Sequence, residues 1–217
     1  MKMDVVNQKG EKVSQIELSN TVFAVPFNES LVHQAMVMHL ANRRLGTADT
    51  KTRGEVLKST RKLFNQKHTG RARRGSAKTP LLKGGGVAFG PKPRNYRQEM
   101  PRKMRRLALR CVLSAKAGSG QLIILDKFIV NEPKTKDIFD MLVALGIDTT
   151  VLIAIDGVDD ALFKSVRNLA GVKILAANLM NVTDLLGHNK LVMTAGAINK
   201  AQELWGSEQV KKSAELK

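Results

Sequence analysis

One stretch of this chain cannot fold by burying itself. Residues 43–110 hold 21 Lys and Arg against three Asp and Glu, a net charge of +18. The rest of the 217 residues hold 15 basic and 16 acidic side chains, so the whole excess of +17 lies in that one stretch. A solvated helix face interleaves both signs. A run of one sign repels itself and calls for polyanionic company. From Thr47 to Pro101 no apolar period of 3.6 or 2 residues survives for long. Glycines stand instead at 54, 70, 75, 84, 85, 86 and 90, and prolines at 80, 91, 93 and 101. A structureless stretch of this length marks a functional loop or a disordered segment. Ordering it costs about 1–2 kcal/mol per residue. Its scattered apolar residues do not offset that cost, so the stretch is expected to order only on a partner.

The flanking sequence reads differently. Hydrophobic residues make up 43% of the chain and aromatics 4%, so an adequate core must be aliphatic. Short strands are expected at 3–6 and 13–18 around a turn at Lys9-Gly10. A helix is expected at 29–45, capped by Asn28 or Ser30, buried around much of its circumference and stopped by Gly46. A second helix at 103–117 carries an apolar stripe of Met104, Leu107, Ala108, Cys111, Val112 and Ala115. Nearly continuous apolar runs at 121–125, 150–155, 172–176 and 190–193 alternate with helical patterns at 135–145, 158–169, 181–187 and 194–205. Such runs are strands covered on both faces. The expected fold class is therefore α/β, a mostly parallel sheet covered by helices in a Rossmann-like three-layer arrangement. Residues 1–45 and 102–205 form the expected globular domain, 46–101 an extended basic loop within it, and 206–217 a polar tail.

Most catalytic classes find no support. Cys111 is the sole cysteine and sits on an apolar stripe with no paired base, so neither a disulfide nor a catalytic thiol is expected. His33, His39, His68 and His188 lack ligand spacing, and no metal is expected. Asp156, Asp159 and Asp160 follow a strand and suit a helix N-terminus. Gly84-Gly85-Gly86 lacks the Gly-Lys-Ser/Thr ending of a nucleotide loop and follows no strand. No apolar run approaches the roughly 20 residues of a membrane span, and the N-terminus shows no signal peptide. The expectation is a cytoplasmic protein, not an enzyme, with no catalytic residues, cofactor, membrane or small-molecule substrate.

The basic stretch has a syntax of its own. Gln66-Lys67-His68-Thr69-Gly70-Arg71-Ala72-Arg73-Arg74-Gly75-Ser76 leads through Lys78 and Lys83 to Gly84-Gly85-Gly86, then to Phe89-Gly90-Pro91-Lys92-Pro93-Arg94. Arginine forks reach phosphate oxygens bidentately. Glycines let the backbone come close. Phe64, Phe89 and Tyr96 offer rings to unstacked bases. Structured RNA is the expected partner, since duplex DNA is more often read by a helix or ribbon. The side chains expected to bind it in the loop are Arg53, Arg61, Lys62, Lys67, Arg71, Arg73, Arg74, Lys78, Lys83, Lys92, Arg94 and Arg97, with the backbone of Gly84, Gly85 and Gly86. Arg102, Lys103, Arg105, Arg106 and Arg110 join them from the second helix, where basic residues near an N-terminus oppose the macrodipole and so serve an outside ligand.

At these residues the chain resembles the bacterial large-subunit ribosomal protein L-four family. The matching stretches include Thr52-Arg53-Gly54-Glu55-Val56, Thr69-Gly70-Arg71-Ala72-Arg73, Gly84-Gly85-Gly86-Val87, Lys103-Met104-Arg105-Arg106-Leu107-Ala108-Leu109, Pro133-Lys134-Thr135-Lys136 and Val192-Met193-Thr194. The resemblance runs in order over essentially the whole chain. It implies a structural constituent of the large ribosomal subunit that binds 23S rRNA early in assembly, beside neighbouring ribosomal proteins. It also implies a loop that threads through the rRNA, with its tip lining the polypeptide exit tunnel and facing the nascent chain. The tip would be Phe64, Asn65, Gln66, Lys67, His68, Thr69, Gly70 and Arg71, within residues 62–74. This sequence departs from the family there: the family usually has Trp at Phe64, Arg at Asn65 and Gly at His68. The competing readings are an RNA-modifying or nucleotide-binding enzyme on a doubly wound sheet and a DNA-binding architectural protein. The first needs a glycine-rich turn after the first parallel strand, and Asp126-Lys127-Phe128 offers none.

Overall fold

The computed structural model describes residues 1–128, 133–157 and 159–206. The chain resolves into two compact units: Met1–Leu40 with Glu99 onward, and Ala41–Gln98.

The first unit is built on six strands: β1 (Lys2–Val6), β2 (Lys12–Glu17), β3 (Leu122–Leu125), β4 (Val151–Ile155), β5 (Val172–Ala176) and β6 (Lys190–Thr194). Their order in the sheet is β2-β1-β3-β6-β4-β5. Among the described residues the β1–β2 hairpin is antiparallel and the other pairings of this sheet are parallel. The helices are α1 (Asn20–Phe23), α2 (Glu29–Asn42), α3 (Arg102–Gly118), α4 (Thr135–Ala144), α5 (Asp160–Val166), α6 (Val182–Gly187) and α7 (Ala195–Trp205). The last two residues of α2 belong to the second unit.

The strands alternate strictly between two apolar clusters. In β4, Leu152 and Ala154 join one cluster while Val151, Ile153 and Ile155 join the other. Leu191 and Met193 of β6 face the first and Val192 the second. Helices α1, α2, α3, α6 and α7 supply the first cluster; α4 and α5 supply the second. This is the mostly parallel, helix-covered α/β sheet read from the continuous apolar runs. The polar edge strand β2 is protected by charge: Lys12 pairs with Asp4 at 2.6 Å and Lys2 with Glu17 at 3.7 Å.

Caps explain where the helices begin. Asn28 Oδ1 accepts from Leu31 N at 3.1 Å, so Asn28, not Ser30, caps α2. Asp159 accepts from Ala161 N and Leu162 N at the start of α5, and Thr194 from Ala197 N at the start of α7. Asn181 accepts from Asp184 N at 2.8 Å, and its amide donates to the Asp184 carboxylate at 2.8 Å. Lys173 reaches that carboxylate at 2.6 Å. Burial would raise the Asp184 pKa, but the hydrogen bonds from Lys173 and Asn181 outweigh it and hold the group below its ordinary value.

Several sequence expectations need correction. The helix expected to reach residue 45 ends at Asn42, whose amide turns to Gln98. It buries one face only, through Leu31, Val32, Ala35 and Met38; Val37 and Leu40 are exposed. The stripe of α3 is also redrawn, with Ala115 exposed and Leu113, Ser114, Lys116 and Ala117 buried. Ser114 donates to the Val22 carbonyl and accepts from Val25 N. Lys116 Nζ donates to Gln121 Oε1 and to the carbonyls of His188 and Asn189, at 2.8–3.0 Å. Burial and nearby Lys190 lower its pKa. Helix α5 stops at Val166 rather than 169, because Leu169 N bonds back to the Val166 carbonyl in a tight turn before Gly171, whose φ is +74°. The expected helix start at 158 and the tail from 207 lie outside the described residues.

The second unit has no hydrophobic core. Within 41–98 a single residue, Gly86, is buried. Two limbs run side by side, tied by backbone bonds from Arg94 N to Gly46 O, Val87 N to Lys51 O and Leu63 N to Gly75 O. Near their start, Asn42 and Gln98 exchange two hydrogen bonds of 2.7 and 3.2 Å. One clasp adds to these ties. Lys92 Nζ lies 2.7 and 2.8 Å from the two Glu55 oxygens and 3.0 Å from Asp49 Oδ1. The Lys92 ammonium and the Thr52 N–H pull the Glu55 pKa down to about 2.

Two outcomes follow for stability. Leu152 is fully buried in β4, so Leu152→Ala should cost about 3 kcal/mol, read as a lower urea midpoint for the α/β unit. Glu55 has a depressed folded-state pKa, so its contribution is complete above its ordinary 4.5 and disappears as pH falls through about 2. Its carboxyl carbon, followed by NMR, should titrate near pH 2 and move up towards 4.5 in Lys92→Gln. An unmoved midpoint would show that the clasp does not form.

Candidate nucleic-acid interface

Ala41–Gln98 contains 16 Lys and Arg but only two acids, Asp49 and Glu55. Both acids engage Lys92. Every other cation of the unit therefore lacks a carboxylate within it. Arg53, Arg61, Lys62, Lys67, Arg71, Arg73, Arg74, Lys83, Arg94 and Arg97 are exposed, and Lys78 is half-buried. The Lys62 side chain also bonds Gln66 Oε1. Lys92, expected at the RNA, also engages both acids in the clasp.

The glycines separate into two groups. A Cβ at Gly85 would collide with the Thr79 carbonyl, one at Gly86 with the Arg53 backbone, and one at Gly90 with the Thr50 side chain. Gly86 and Gly90 let one limb press against the other, while Gly85 lets its own limb turn tightly on Thr79. Gly54 and Gly70 meet nothing within 4 Å. Their backbone lies open to an outside ligand. Gly84, with φ +74°, faces only the flexible Lys58 side chain.

Lys62 and Ser76 form an antiparallel bridge that closes a loop over the expected tip. Within it Asn65, Gln66, Lys67, His68, Thr69, Gly70 and Arg71 are exposed and Phe64 is half-buried. His68 has φ +66°. That conformation disfavours side chains, and it stands where the family pattern has glycine. Of the three rings read as base platforms, Phe89 is fully exposed and Phe64 half-buried. Tyr96 already carries the guanidiniums of Arg44 and Arg94, at 3.9 and 4.4 Å from its centroid. Arg44 was not foreseen as a functional residue; its place opposite Tyr96 depends on the register of two limbs that sequence periodicity does not reveal.

In the α/β unit, α3 presents a second basic surface. Arg102, Lys103 and Arg105 are exposed and Arg106 and Arg110 half-buried, with no acid in the first turn. Arg102, Arg105 and Arg106 line a cleft of about 340 Å³ with His39, Leu109 and Asn181. Lys103, Arg106 and Arg110 line another of about 310 Å³ beside Trp205. The Nε of Arg110 is buried with no hydrogen-bond partner among the described residues.

A crevice of about 420 Å³ does open at the C-terminal ends of β3, β4 and β6. Asp126, Asp156 and Asp159 line it, and no glycine-rich turn follows β3. Carboxylates there oppose a pyrophosphate. Asp159 is committed to its cap, and Lys200 lies 3.2 Å from Asp156. Among the described residues no group of three or more His, Cys, Asp or Glu is placed to hold a metal, and no helix is long and apolar enough to cross a membrane. Cys111 is buried, with its Sγ 3.4 Å from the Pro26 carbonyl.

Comparison with known proteins agrees with the basic syntax. Residues 16–204 match the model of the ribosomal protein L4/L1 family. A large ribosomal subunit protein uL4 from Dehalococcoides mccartyi is 50% identical over 206 residues, covering 95% of this chain and 98% of the relative. The protein of the same name from Pelotomaculum thermopropionicum is 47% identical, covering 92% and 96%. That from Symbiobacterium thermophilum is 46% identical, covering 94% and 99%. These relatives are ribosomal proteins rather than enzymes, and the chain belongs to the ribosomal protein L4/L1 family.

Proposed function

We propose that this chain is a structural constituent of the large ribosomal subunit in the cytoplasm, bound to 23S rRNA from early in assembly. One observation carries the reading: Ala41–Gln98 has no apolar core, and its cations beyond Lys92 have no carboxylate within the unit. Such a segment gains its ordering energy from a polyanion, since little else opposes its self-repulsion. The family supplies the identity of that polyanion. In this reading the chain is a Rossmann-like three-layer domain, residues 1–45 and 102–205, with the basic loop 46–101 inserted. The loop threads through rRNA, its two limbs pressed together at Gly86 and Gly90. Gly54, Gly70 and the exposed arginines meet phosphates. The closed loop over residues 62–74 lines the exit tunnel beside the nascent chain. Arg102, Lys103, Arg105, Arg106 and Arg110 anchor the globular domain to the same RNA, and neighbouring ribosomal proteins cover other faces.

Each phosphate neutralised contributes about 0.7–0.9 to the slope of log affinity against log salt. About 8–12 contacts should make binding to large-subunit rRNA fall steeply with salt. In cell lysates the protein should co-sediment with the large subunit in high salt, and deletion of residues 60–95 should release it. Free protein throughout the gradient, or shallow salt dependence, would sink the reading.

A further inference from the structure

Where the two limbs of Ala41–Gln98 begin, three contacts pair them. Asn42 pairs with Gln98 through two side-chain hydrogen bonds, Arg44 lies against Tyr96, and Gly46 O accepts from Arg94 N. Asn42, the last residue of α2, thus lies opposite Gln98, Arg44 opposite Tyr96 and Gly46 opposite Arg94. Gly46 makes the arrangement possible. It has φ +68°, and a Cβ there would collide with the Arg94 carbonyl and come within 3.1 Å of the Tyr96 ring.

Two guanidiniums on one ring are two like charges held close together. Neither Arg44 nor Arg94 has an ion pair among the described residues, and the unit's two acids are both engaged by Lys92. Stacking uses the face of a guanidinium and leaves its N–H edge free. The ring therefore fixes two planar forks in advance, each with donors still unspent. The Arg94 guanidinium beside the Tyr96 hydroxyl lowers the phenol pKa against the effect of burial. A phosphodiester matches such a pair. It brings the missing negative charge and accepts two parallel hydrogen bonds from each fork.

We infer that Arg44, Tyr96 and Arg94 form a phosphate clamp at the root of the basic segment, seating one RNA backbone phosphate. Tyr96 acts in it as the positioning residue for two arginines, not as a platform for a base. The inference rests on the rRNA-binding reading above and adds Arg44 and Tyr96 to it. Packed on one ring, at 3.9 and 4.4 Å from its centroid, the two side chains have less rotamer freedom to lose on binding than unstacked arginines.

The test measures binding of the full chain to protein-free large-subunit rRNA over a salt series of about 50–200 mM. Arg44→Gln should reduce the log–log slope by about 0.7–0.9 and weaken binding roughly tenfold. Arg44→Lys keeps the charge but loses the planar fork and should weaken binding about fivefold. Tyr96→Leu keeps both charges and should weaken it similarly. Arg43→Gln removes a neighbouring exposed cation outside the cluster and sets the size of a merely electrostatic effect. If Arg44→Lys binds like the wild type, or Arg44→Gln loses no more than Arg43→Gln, the clamp is overturned while the rRNA reading stands. The Arg44→Lys arm decides the matter even if Tyr96→Leu disturbs the limbs. Wild-type protein that shows no salt-dependent binding removes the underlying reading and the clamp with it.

Discussion

Electrostatic self-repulsion along Ala41–Gln98 sets the terms for that part of the molecule. Sixteen cations and two acids share a segment with one buried residue. The hydrophobic effect, the usual driving force of folding, has almost nothing to act on there. What replaces it is local and polar. A few backbone bonds tie the limbs, one lysine collects both carboxylates, and a tyrosine ring carries two guanidiniums. Each is an exposed interaction of modest worth. Their sum sets the path of the chain more than it stabilises it, leaving the larger share of the ordering energy to a polyanion.

The α/β unit is organised by the opposite balance. Its central strands are buried on both faces, and its buried Lys116, Ser114 and Asp184 are answered by specific partners. Lys116 has three acceptors, Ser114 a donor and an acceptor, and Asp184 the hydrogen bonds of Lys173 and Asn181. The basic turns of α3 are the exception. Arg102, Arg105 and Arg106 line one cleft, Arg106 and Arg110 another, and the Arg110 Nε is buried with no hydrogen-bond partner among the described residues. In charge, and in having no acid in the first turn, the start of this helix resembles the segment that precedes it in sequence.

Legibility followed the range of the interactions involved. The parallel strands were plain because continuous β-branched and aliphatic runs report burial on both faces. Helix α1 was not, because four residues carry no period, although Val22 and Phe23 are deeply buried. Ser114 and Lys116 look like surface residues by type, and only tertiary acceptors make their burial tolerable. The charge of the basic segment was fully visible, but its internal pairing was not. Nothing local marks Lys92 as the partner of Glu55 and Asp49, or Arg44 as the partner of Tyr96, since both depend on the register of distant limbs.

That register also alters what the glycines mean. In sequence they form one class, open backbone for close approach to phosphate. In the structure Gly46, Gly85, Gly86 and Gly90 are consumed by contacts within the chain, while Gly54 and Gly70 remain open. A segment without a core must still bring its limbs together, and glycine permits that where no side chain could interdigitate. The close approach of the limbs sets Arg44 opposite Tyr96 and keeps the clasp within reach of both acids. In the proposed reading glycine serves RNA binding mainly at one remove, by fixing the spacing of the cations. The same logic makes His68 the odd position of the tip. It holds a left-handed backbone conformation that glycine adopts freely and histidine adopts at some cost. The loop geometry there is imposed by the chain around it, not chosen by the residue.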